Sequence, residues 1–336
     1  MLTRCTLFRL LTLSFTLAGT ALPASVDRAL LEREVSAAIT GGGGRFGVGV
    51  KDLQTGETWF RAANERFPMQ SVFKAPLGAA VLHHIARGRL RLDDPVVVQR
   101  EDLAMQWSPL AREFTGERRT YTVRDLLERA VGASDNTAAD VLMRLIGGPH
   151  VVQEFLQAHG ISDLRVDRYE REFQPELLGL PPFKHGERID EAAYQAAAEA
   201  LPRAARQAAL DAYLADPRDT ATPHAALAFL EQLDAGTLLN AEHTALLLDI
   251  MTRSPSGPNR LKAGLPAGSS FAHKTGMSGE PLGIAAATND IGIVRLPDGR
   301  KFLLASFQAG SPRPEKERDA AHARIARAAV TALAQP

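Results

Sequence analysis

The sequence has little cysteine, no excess of charge of either sign and, after its first two dozen residues, no long apolar run. Its single cysteine, Cys5, lies within the first two dozen residues. If those residues are removed, the remaining chain has no disulfide, no thiol nucleophile and no cysteine-ligated metal. Lysine plus arginine and aspartate plus glutamate both number 39, with no basic block, which argues against nucleic acid as a partner. The composition, 45% hydrophobic and 23% charged over 336 residues, is ordinary for one large or two modest globular domains.

The N-terminal segment differs from the rest of the chain. Arg4 and Arg9 lie at the start of an apolar stretch that ends in small residues, LFRLLTLSFTLAGTALPA. A basic start, a short apolar middle and small residues before the cut are typical of a secretory signal, and the run is short for a membrane span. We expect residues 1–24 to be a signal peptide cut near Ala21 or Ala24. The mature protein is then expected to be periplasmic or secreted, without a membrane anchor and by default monomeric.

Strand patterns lie near both ends of the chain, and helical patterns fill the middle. Residues 45–63 alternate like two strands, and strand character returns at 269–276 and 283–310, where Pro297-Asp298-Gly299 is a strong turn signal within the second stretch. Helical periodicity flanks these strands at both termini and dominates residues 71–250, with its clearer segments at 72–87, 122–130, 137–145, 150–159 and 223–234. This order predicts an α/β fold combined with an all-α part. The predicted boundaries are 1–24 for the signal peptide, 25–63 and 256–336 for the α/β sheet domain, and 64–255 for the all-α domain.

Residues 175–215 stand out within the helical part by their alanine content. A lead rich in proline and glycine enters two alanine-rich stretches, which are separated by Pro202. Because alanine favours helix on propensity alone, this segment predicts a helical hairpin.

Ser71 and Lys74 stand three residues apart at the mouth of an apolar run, FPMQSVFKAPLGAAVL. On a helix this spacing puts both side chains on one face. A serine hydroxyl needs a neighbouring base to become a nucleophile, and a lysine among apolar neighbours gives up its proton more readily. The alternative is an N-capping serine followed by a surface lysine, because Ser-x-x-Lys alone is common.

Two further motifs follow along the chain, Ser134-Asp135-Asn136 at a predicted helix start and Lys274-Thr275-Gly276 on a predicted strand. Taken singly, the first is explained as a helix cap and the second as a charged strand edge. Together with the first motif, in this order, they form the set found in class A β-lactamases and penicillin-binding proteins.

The chain resembles a class A β-lactamase well beyond these motifs. RVDRYEREFQ (165–174) is similar to the first part of the family's Ω-loop, and DPRDTATP (216–223) to its end. The resemblance covers nearly all of the mature chain apart from most of residues 175–215. It implies the serine β-lactamase and DD-peptidase fold, in which an antiparallel sheet flanked by N- and C-terminal helices carries an inserted helical domain. The implied Ω-loop spans 165–222, and an ion pair of Arg168 with Asp219 closes its neck.

The resemblance also implies a role for each catalytic residue. Ser71 is the nucleophile, and Lys74, or Glu170 acting through a water, takes its proton. Ser134 passes a proton to the departing lactam nitrogen with the help of Lys274. Glu170 then activates the water that hydrolyses the acyl-enzyme.

The implied substrate contacts surround these groups. The backbone N–H groups of Ser71 and Met277 form the oxyanion hole. Asn136 is implied to bind the substrate's side-chain amide. Thr275, Lys274 and Arg260 are implied to bind its carboxylate, with Gly276 beside them. Trp107 is implied to be an aromatic gatekeeper at the cleft, and Gln174 to lie near the deacylating water.

Several positions depart from the family's usual pattern. Gln174 stands where Asn is usual, Met277 where Ser or Thr is frequent, and Gln70 precedes the nucleophile as in PER- and VEB-like members. His273 precedes Lys274 where Asp is frequent, and we interpret it as a strand histidine that faces solvent. The helical insert is the largest departure, and two interpretations are open: a neutral surface insertion, or a segment that covers, reshapes or gates the cleft.

The sequence therefore predicts a serine β-lactamase that acts on β-lactam antibiotics without a metal or other cofactor. Two alternatives keep the same chemistry: a DD-peptidase or esterase, and a penicillin-binding sensor that is acylated but not turned over. A metal-dependent hydrolase is disfavoured because the sequence has no His-x-His or His-Glu-x-x-His spacing.

Overall fold

A computed structural model describes residues 26–333, so the predicted signal peptide and its cysteine lie outside the described residues. The strands are β1 (Arg45–Asp52), β2 (Thr58–Arg61), β3 (Phe67–Pro68), β4 (Pro95–Gln99), β5 (Arg118–Thr122), β6 (Thr220–Ala221), β7 (Ser270–Met277), β8 (Ala285–Arg295) and β9 (Lys301–Ser311). The helices are α1 (Arg28–Gly42), α2 (Lys74–Ala86), α3 (Pro109–Glu113), α4 (Val123–Leu127), α5 (Asn136–Leu145), α6 (Pro149–Ala158), α7 (Glu170–Leu177), α8 (Glu191–Ala200), α9 (Arg203–Ala215), α10 (Pro223–Asp234), α11 (Ala241–Thr252) and α12 (Glu315–Ala332).

The two ends of the chain build one antiparallel sheet with the strand order β2-β1-β9-β8-β7. The predicted strand pair at 45–63 is confirmed, since β1 and β2 are antiparallel with Val50 opposite Trp59. β8 and β9 form the predicted hairpin across the Pro297–Gly299 turn. β7 pairs only with β8, so its other edge is free to face the helical part of the molecule.

Apolar side chains cover both faces of this sheet. On one face, Leu31 of α1 and Ile325 of α12 join sheet residues such as Val48 and Leu304 in a buried cluster. On the other face, Phe307 of β9 belongs to a larger cluster that continues through α2, α5, α10 and α11. β8 and β9 are therefore buried along almost their whole length, including the polar residues Thr288, Asn289 and Asp290 at the centre of β8.

The helical part follows the predicted periodicity, with two local differences. Helices are confirmed over most of 72–87, 137–145, 150–159 and 223–234. The predicted helix 122–130 is α4 followed by a π-helical turn, Glu128–Gly132. The hairpin of β4 and β5 falls inside the region predicted to be mostly helical. Its strands are short and largely solvent-exposed, so they lack the alternating apolar pattern that would have identified them.

The insert forms the predicted helical hairpin of α8 and α9, with Pro202 between the two helices. Asp190 caps α8 by accepting a hydrogen bond from the backbone N–H of Ala193 (3.0 Å). Leu210 and Tyr213 of α9 belong to the larger core cluster, so this helix is packed against the body of the protein.

Candidate active site

The predicted nucleophile lies in a tight turn in front of a buried helix. Residues Gln70–Phe73 form a 3-10 turn that runs directly into α2, and Ser71 is the half-buried residue of that turn. Gln70 has a φ of 47°, a left-handed conformation that is strained for a residue with a side chain. The surrounding packing thus holds the Ser71 hydroxyl in a fixed direction, toward the ammonium of Lys74.

Lys74 brings the first motif together with two distant parts of the chain. Its Nζ lies 2.9 Å from Ser71 Oγ, 2.8 Å from the backbone oxygen of Ser134, 2.5 Å from Asn136 Oδ1 and 2.9 Å from Glu170 Oε1. The side chain is fully buried. The prediction that this lysine lies among apolar neighbours is therefore wrong for its ammonium group, which is surrounded by oxygen atoms.

Glu170 begins α7, and its carboxylate is held from two sides. Oε1 pairs with the Lys74 ammonium, and Oε2 accepts a hydrogen bond from Gln174 Nε2 at 2.9 Å. Its backbone N–H donates to Asp140 Oδ1 at 2.8 Å, which fixes the start of the helix. Burial and the nearby Glu170 charge raise the pKa of Asp140 to about 7. The predicted amine base thus contacts the Ser71 hydroxyl directly, and the predicted carboxylate base contacts the same ammonium from another side.

Lys274 and Ser134 form the second polar contact of the site. The Lys274 Nζ donates to Ser134 Oγ at 2.8 Å and to the backbone oxygen of Thr275 at 3.0 Å. Burial, followed by the charge of Lys74, lowers the pKa of Lys274 well below its usual value. Ser134 has a φ of 61°, so its hydroxyl is presented by a strained turn just before α5. The arrangement suits transfer of a proton through the Ser134 hydroxyl.

The free edge of β7 faces Ser71. A Cβ atom at Gly276 would lie 2.2 Å from the backbone oxygen of Met69, so only glycine allows the strand to approach this closely. The backbone N–H of Ser278 donates to Ala287 of β8 at 3.0 Å. Because N–H directions alternate along a strand, that of Met277 points away from β8 and toward the cleft. This is the direction required of an oxyanion donor.

A cleft of about 490 Å³ opens in front of these groups. Its lining residues are Ser71, Trp107, Ala133, Ser134, Pro255, Ser256, Gly257, Pro258, Asn259, Arg260, Thr275, Met277, Glu315 and Asp319. Trp107 is 52% exposed at its rim, and its indole N–H donates to the backbone oxygen of Ala133 at 2.8 Å. None of the lining residues comes from residues 175–215, so the insert does not cover this cleft.

Two residues predicted to bind substrate already use part of their hydrogen-bonding capacity for partners within the protein. The guanidinium of Arg260 donates to Asp319 Oδ1 at 3.0 Å and to the backbone oxygens of Asn289 and Gly276 at 3.3 and 3.5 Å, and it contacts the sulfur of Met277 at 3.0 Å. The amide of Asn136 accepts from Lys74 and donates to the backbone oxygen of Met105 at 3.0 Å. Each keeps donor hydrogens beyond these contacts, because a guanidinium has five and an amide has two.

The ion pair of Arg168 with Asp219 that the resemblance implies is present and buried. Arg168 Nε lies 2.6 Å from Asp219 Oδ2, and the same guanidinium is 3.2 Å from Asp216 Oδ2 and also pairs with Glu176. The carboxylate of Asp219 further accepts the backbone N–H groups of Asp167 and Arg168 at 2.7 and 3.1 Å. The two ends of the segment that carries Glu170 are thereby fastened together.

One expectation fails beside the third motif. His273 was interpreted as facing solvent, but it is completely buried, and its Nδ1 lies 2.8 Å from Asp290 Oδ1. The interpretation is wrong because β7 is packed on both faces: the side chain lies on the face opposite to Lys274 and stacks on Phe271.

Three residues of the site were missed in the sequence. Ser256 accepts a hydrogen bond from the Thr275 hydroxyl at 3.0 Å, and Asp319 pairs with Arg260 across 59 residues. Neither has a signal in its local sequence. Asp140 does have one, since it lies one helical turn after Asn136 and so shares its face of α5.

Comparison with known proteins agrees with this geometry. The model of the β-lactamase enzyme family matches residues 30–333. The extended-spectrum β-lactamase PER-1 of Pseudomonas aeruginosa is 32% identical over 306 residues, which cover 91% of this chain and 88% of that protein. The chain belongs to the β-lactamase enzyme family.

Its place among the β-lactamases is with class A. VEB-1 of Pseudomonas aeruginosa is 32% identical over 268 residues, covering 80% of this chain and 78% of that protein. The structure of the class A β-lactamase of the last common ancestor of Gram-negative bacteria matches with a TM-score of 0.73 and 34% identity, covering 90% of this chain and 99% of that one. The predicted fold and the predicted likeness to PER- and VEB-like class A β-lactamases are confirmed.

Proposed function

We propose that this protein hydrolyses the β-lactam amide through a serine acyl-enzyme. The observation that carries the proposal is the position of Lys74 Nζ, 2.9 Å from both Ser71 Oγ and Glu170 Oε1. A nucleophilic hydroxyl and a carboxylate that can activate water thus share one buried pocket beside an open cleft. Family membership and the similarity to PER-1 and VEB-1 support the same activity.

Acylation in this proposal begins with attack of Ser71 Oγ on the lactam carbonyl. The hydroxyl proton passes to Lys74, or through a water to Glu170. The backbone N–H groups of Ser71 and Met277 stabilise the oxyanion. When the C–N bond breaks, Ser134 donates its proton to the leaving nitrogen. Its donor partner Lys274 supports this transfer, because a buried lysine with a lowered pKa releases a proton readily.

Deacylation depends on Glu170. Its carboxylate takes a proton from water, the resulting hydroxide attacks the ester carbon, and the ester bond to Ser71 Oγ breaks with return of a proton to that oxygen. Gln174, whose amide bonds to Glu170, would help to place this water. Trp107, Asn136, Thr275, Gly276 and Arg260 are proposed to hold the substrate.

The remaining features of the proposal concern location and domain organisation. We propose that residues 1–24 direct export to the periplasm or medium, that residues 165–222 form the Ω-loop, and that the mature protein is monomeric. Within residues 26–333, no helix is long and apolar enough to span a bilayer.

The test uses nitrocefin, a chromogenic β-lactam, with the wild type and three variants. We expect turnover by the wild type, none by S71A, and at least 100-fold slower deacylation in E170A, because a positioned general base contributes about 10²–10⁴-fold. Mass spectrometry should show a persistent adduct on Ser71 in E170A. The matched control is E199A, which removes an exposed carboxylate on α8 and should behave as the wild type.

Three outcomes would contradict the proposal in different ways. No hydrolysis by the wild type would remove the lactamase function. A wild-type adduct that persists for hours would favour the penicillin-binding sensor. Equal turnover by wild type and E170A would show that Glu170 does not activate the deacylating water.

A further inference from the structure

A line of hydrogen bonds connects the helical insert to the Glu170 carboxylate. The phenol oxygen of Tyr213, on α9, accepts from Gln70 Nε2 at 2.6 Å. Gln70 Oε1 accepts from Gln174 Nε2 at 3.0 Å, and the same Nε2 donates to Glu170 Oε2 at 2.9 Å. Two glutamine side chains, Gln70 and Gln174, therefore connect the Tyr213 hydroxyl of α9 to the Glu170 carboxylate.

The Glu170 carboxylate at one end of this line determines which atom donates and which accepts in every bond. An ionised carboxylate only accepts hydrogen bonds, so Gln174 must present its NH₂ group to Glu170. That NH₂ group then donates to the oxygen of Gln70, and the NH₂ group of Gln70 is left to donate outward. Tyr213 supplies the acceptor that this arrangement requires. Burial raises the pKa of Tyr213 above its ordinary value, so its hydroxyl stays neutral.

The line is buried throughout and firmly supported from outside. Gln70, Gln174 and Tyr213 are at most 7% exposed, so water does not replace a lost partner at low cost. Tyr213 and its neighbour Leu210 belong to the main core, which fixes the position of the phenol.

We propose that Tyr213 is a positioning residue for deacylation: the insert holds Gln70 through the Tyr213 hydroxyl, and Gln70 orients the Gln174 amide that directs the Glu170 carboxylate. This inference rests on the proposed function, since it needs an acyl-enzyme that Glu170 hydrolyses. It gives the insert a role that is neither that of a neutral surface loop nor that of a lid over the cleft.

An alternative pairing shows what the hydroxyl prevents. Gln174 Oε1 is buried without a hydrogen-bond partner among the described residues. Without the Tyr213 hydroxyl, the Gln70 NH₂ group has no acceptor on the insert side, and the nearby Gln174 Oε1 is available to it. That exchange turns the Gln174 amide and takes its NH₂ group away from Glu170 Oε2.

The experiment separates acylation from deacylation in Y213F, with Y194F as the matched control. Tyr194 is the other buried tyrosine of the insert, and its hydroxyl donates to the backbone oxygen of Gln174 at 3.3 Å instead of a side chain. With nitrocefin in a stopped-flow instrument, we expect Y213F to deacylate about tenfold more slowly, which corresponds to about 1.4 kcal/mol. Its acylation rate should stay within about twofold of the wild type, and Y194F should match the wild type in both steps.

A double-mutant cycle with Q70M tests whether Tyr213 acts through Gln70. Q70M breaks the same line at the next bond, so it should show the same slow deacylation, and Y213F should add little to it. If Y213F does not fold, a deacylation defect in Q70M alone supports the proposal, and normal deacylation in Q70M overturns it.

The other results overturn the proposal as well. They are wild-type deacylation in Y213F, an equal loss in acylation and deacylation, an equal defect in Y194F, or full additivity of Y213F and Q70M. Each of these leaves the lactamase function intact, provided that the wild type hydrolyses nitrocefin. Absence of hydrolysis by the wild type would instead refute the function on which the inference rests.

Discussion

At the scale of single residues, the site is a concentration of buried charge. Lys74 and Lys274 are fully buried, and Glu170 and Asp140 are 1% and 4% exposed. A buried charge is costly unless it is paired and hydrogen-bonded. Lys74 and Glu170 meet this condition by pairing with each other. Lys274 donates to two neutral oxygens and pairs with no carboxylate among the described residues, in line with its lowered pKa. Asp140 accepts two backbone N–H groups but lies close to a second carboxylate, and its pKa is raised by burial and then by that charge.

The first prediction concerns Asp140 and the pH dependence of stability. Burial, followed by the charge of Glu170, raises the pKa of Asp140 to about 7 from an ordinary value of 3.8. Since its folded-state pKa exceeds the unfolded one, the folded state retains a proton that the unfolded state loses between these values. The stabilisation is complete below about pH 4 and is lost as pH rises through 7. We expect the free energy of unfolding of the wild type, relative to D140N, to fall between pH 5 and pH 8.

Urea unfolding of both proteins across this range measures that difference. D93N is the control, because a hydrogen bond from Arg91 lowers the pKa of this exposed carboxyl and it does not titrate between pH 5 and pH 8. A wild-type minus D140N difference that is flat or rises with pH would contradict the raised pKa.

How far single residues could be predicted depends on the sequence distance of their partners. Ser71 and Lys74 meet as predicted because their contact is set by helical spacing over three residues. The pairing of Arg260 with Asp319 joins a loop to α12, and no local pattern encodes it. His273 was misjudged for the same reason, since its partner Asp290 comes from the neighbouring strand β8.

At the scale of elements, the site depends on how closely β7 approaches the turn of Ser71. The strand contributes Lys274, Thr275 and the Met277 N–H, and all of them reach the cleft only if the backbone lies against residues 69–72. Gly276 permits this contact. The glycine of the third motif thus has a packing function besides any contact with substrate.

We therefore predict that G276A slows acylation by more than its loss of stability can account for. The added Cβ would lie 2.2 Å from the Met69 oxygen, which is backbone and cannot rotate away. Relief of this clash must move β7 away from Ser71 and open the oxyanion hole, for which we expect at least about 100-fold slower acylation. Overpacking of this kind also costs about 1–3 kcal/mol of stability.

Stopped-flow acylation with nitrocefin and thermal unfolding check both parts of this prediction. G279A is the matched control, three residues further on, because a Cβ there meets nothing within 4 Å. Wild-type acylation in G276A would show that the strand does not need this close approach.

Most elements could be predicted because their apolar periodicity is strong and local. The β8–β9 hairpin and helices α5, α6 and α10 agree with their predicted ranges within a few residues. The β4–β5 hairpin was not predicted, because only Val98 and Tyr121 of its strands are buried and the apolar and polar positions do not alternate. The run of β-branched residues Val96–Val98 is the local signal that could have identified β4. The hairpin of α8 and α9 was predicted by propensity, but where it packs was not, since its contacts are with distant segments.

At the scale of the whole molecule, the insert is part of the main core and not an attached lid. Leu210 of α9 is 1% exposed and lies in the same apolar cluster as Phe73 and Phe173, which pack edge to face behind the site at a ring distance of 6.2 Å. The protein should therefore unfold in a way that couples the insert to the catalytic body. An insert that only decorated the surface would melt separately and leave the body intact.

The last prediction tests this coupling with L210A. Removal of a buried leucine side chain costs about 2–5 kcal/mol, because it loses apolar contacts and leaves a cavity. We expect L210A to lower the free energy of unfolding by this amount in a single cooperative transition, seen alike by far-ultraviolet circular dichroism and by loss of nitrocefin hydrolysis. D211A, at the next and exposed position, should stay within about 0.5 kcal/mol of the wild type. An early separate transition in L210A, with activity kept until a later one, would show that the insert folds independently of the core that positions Glu170.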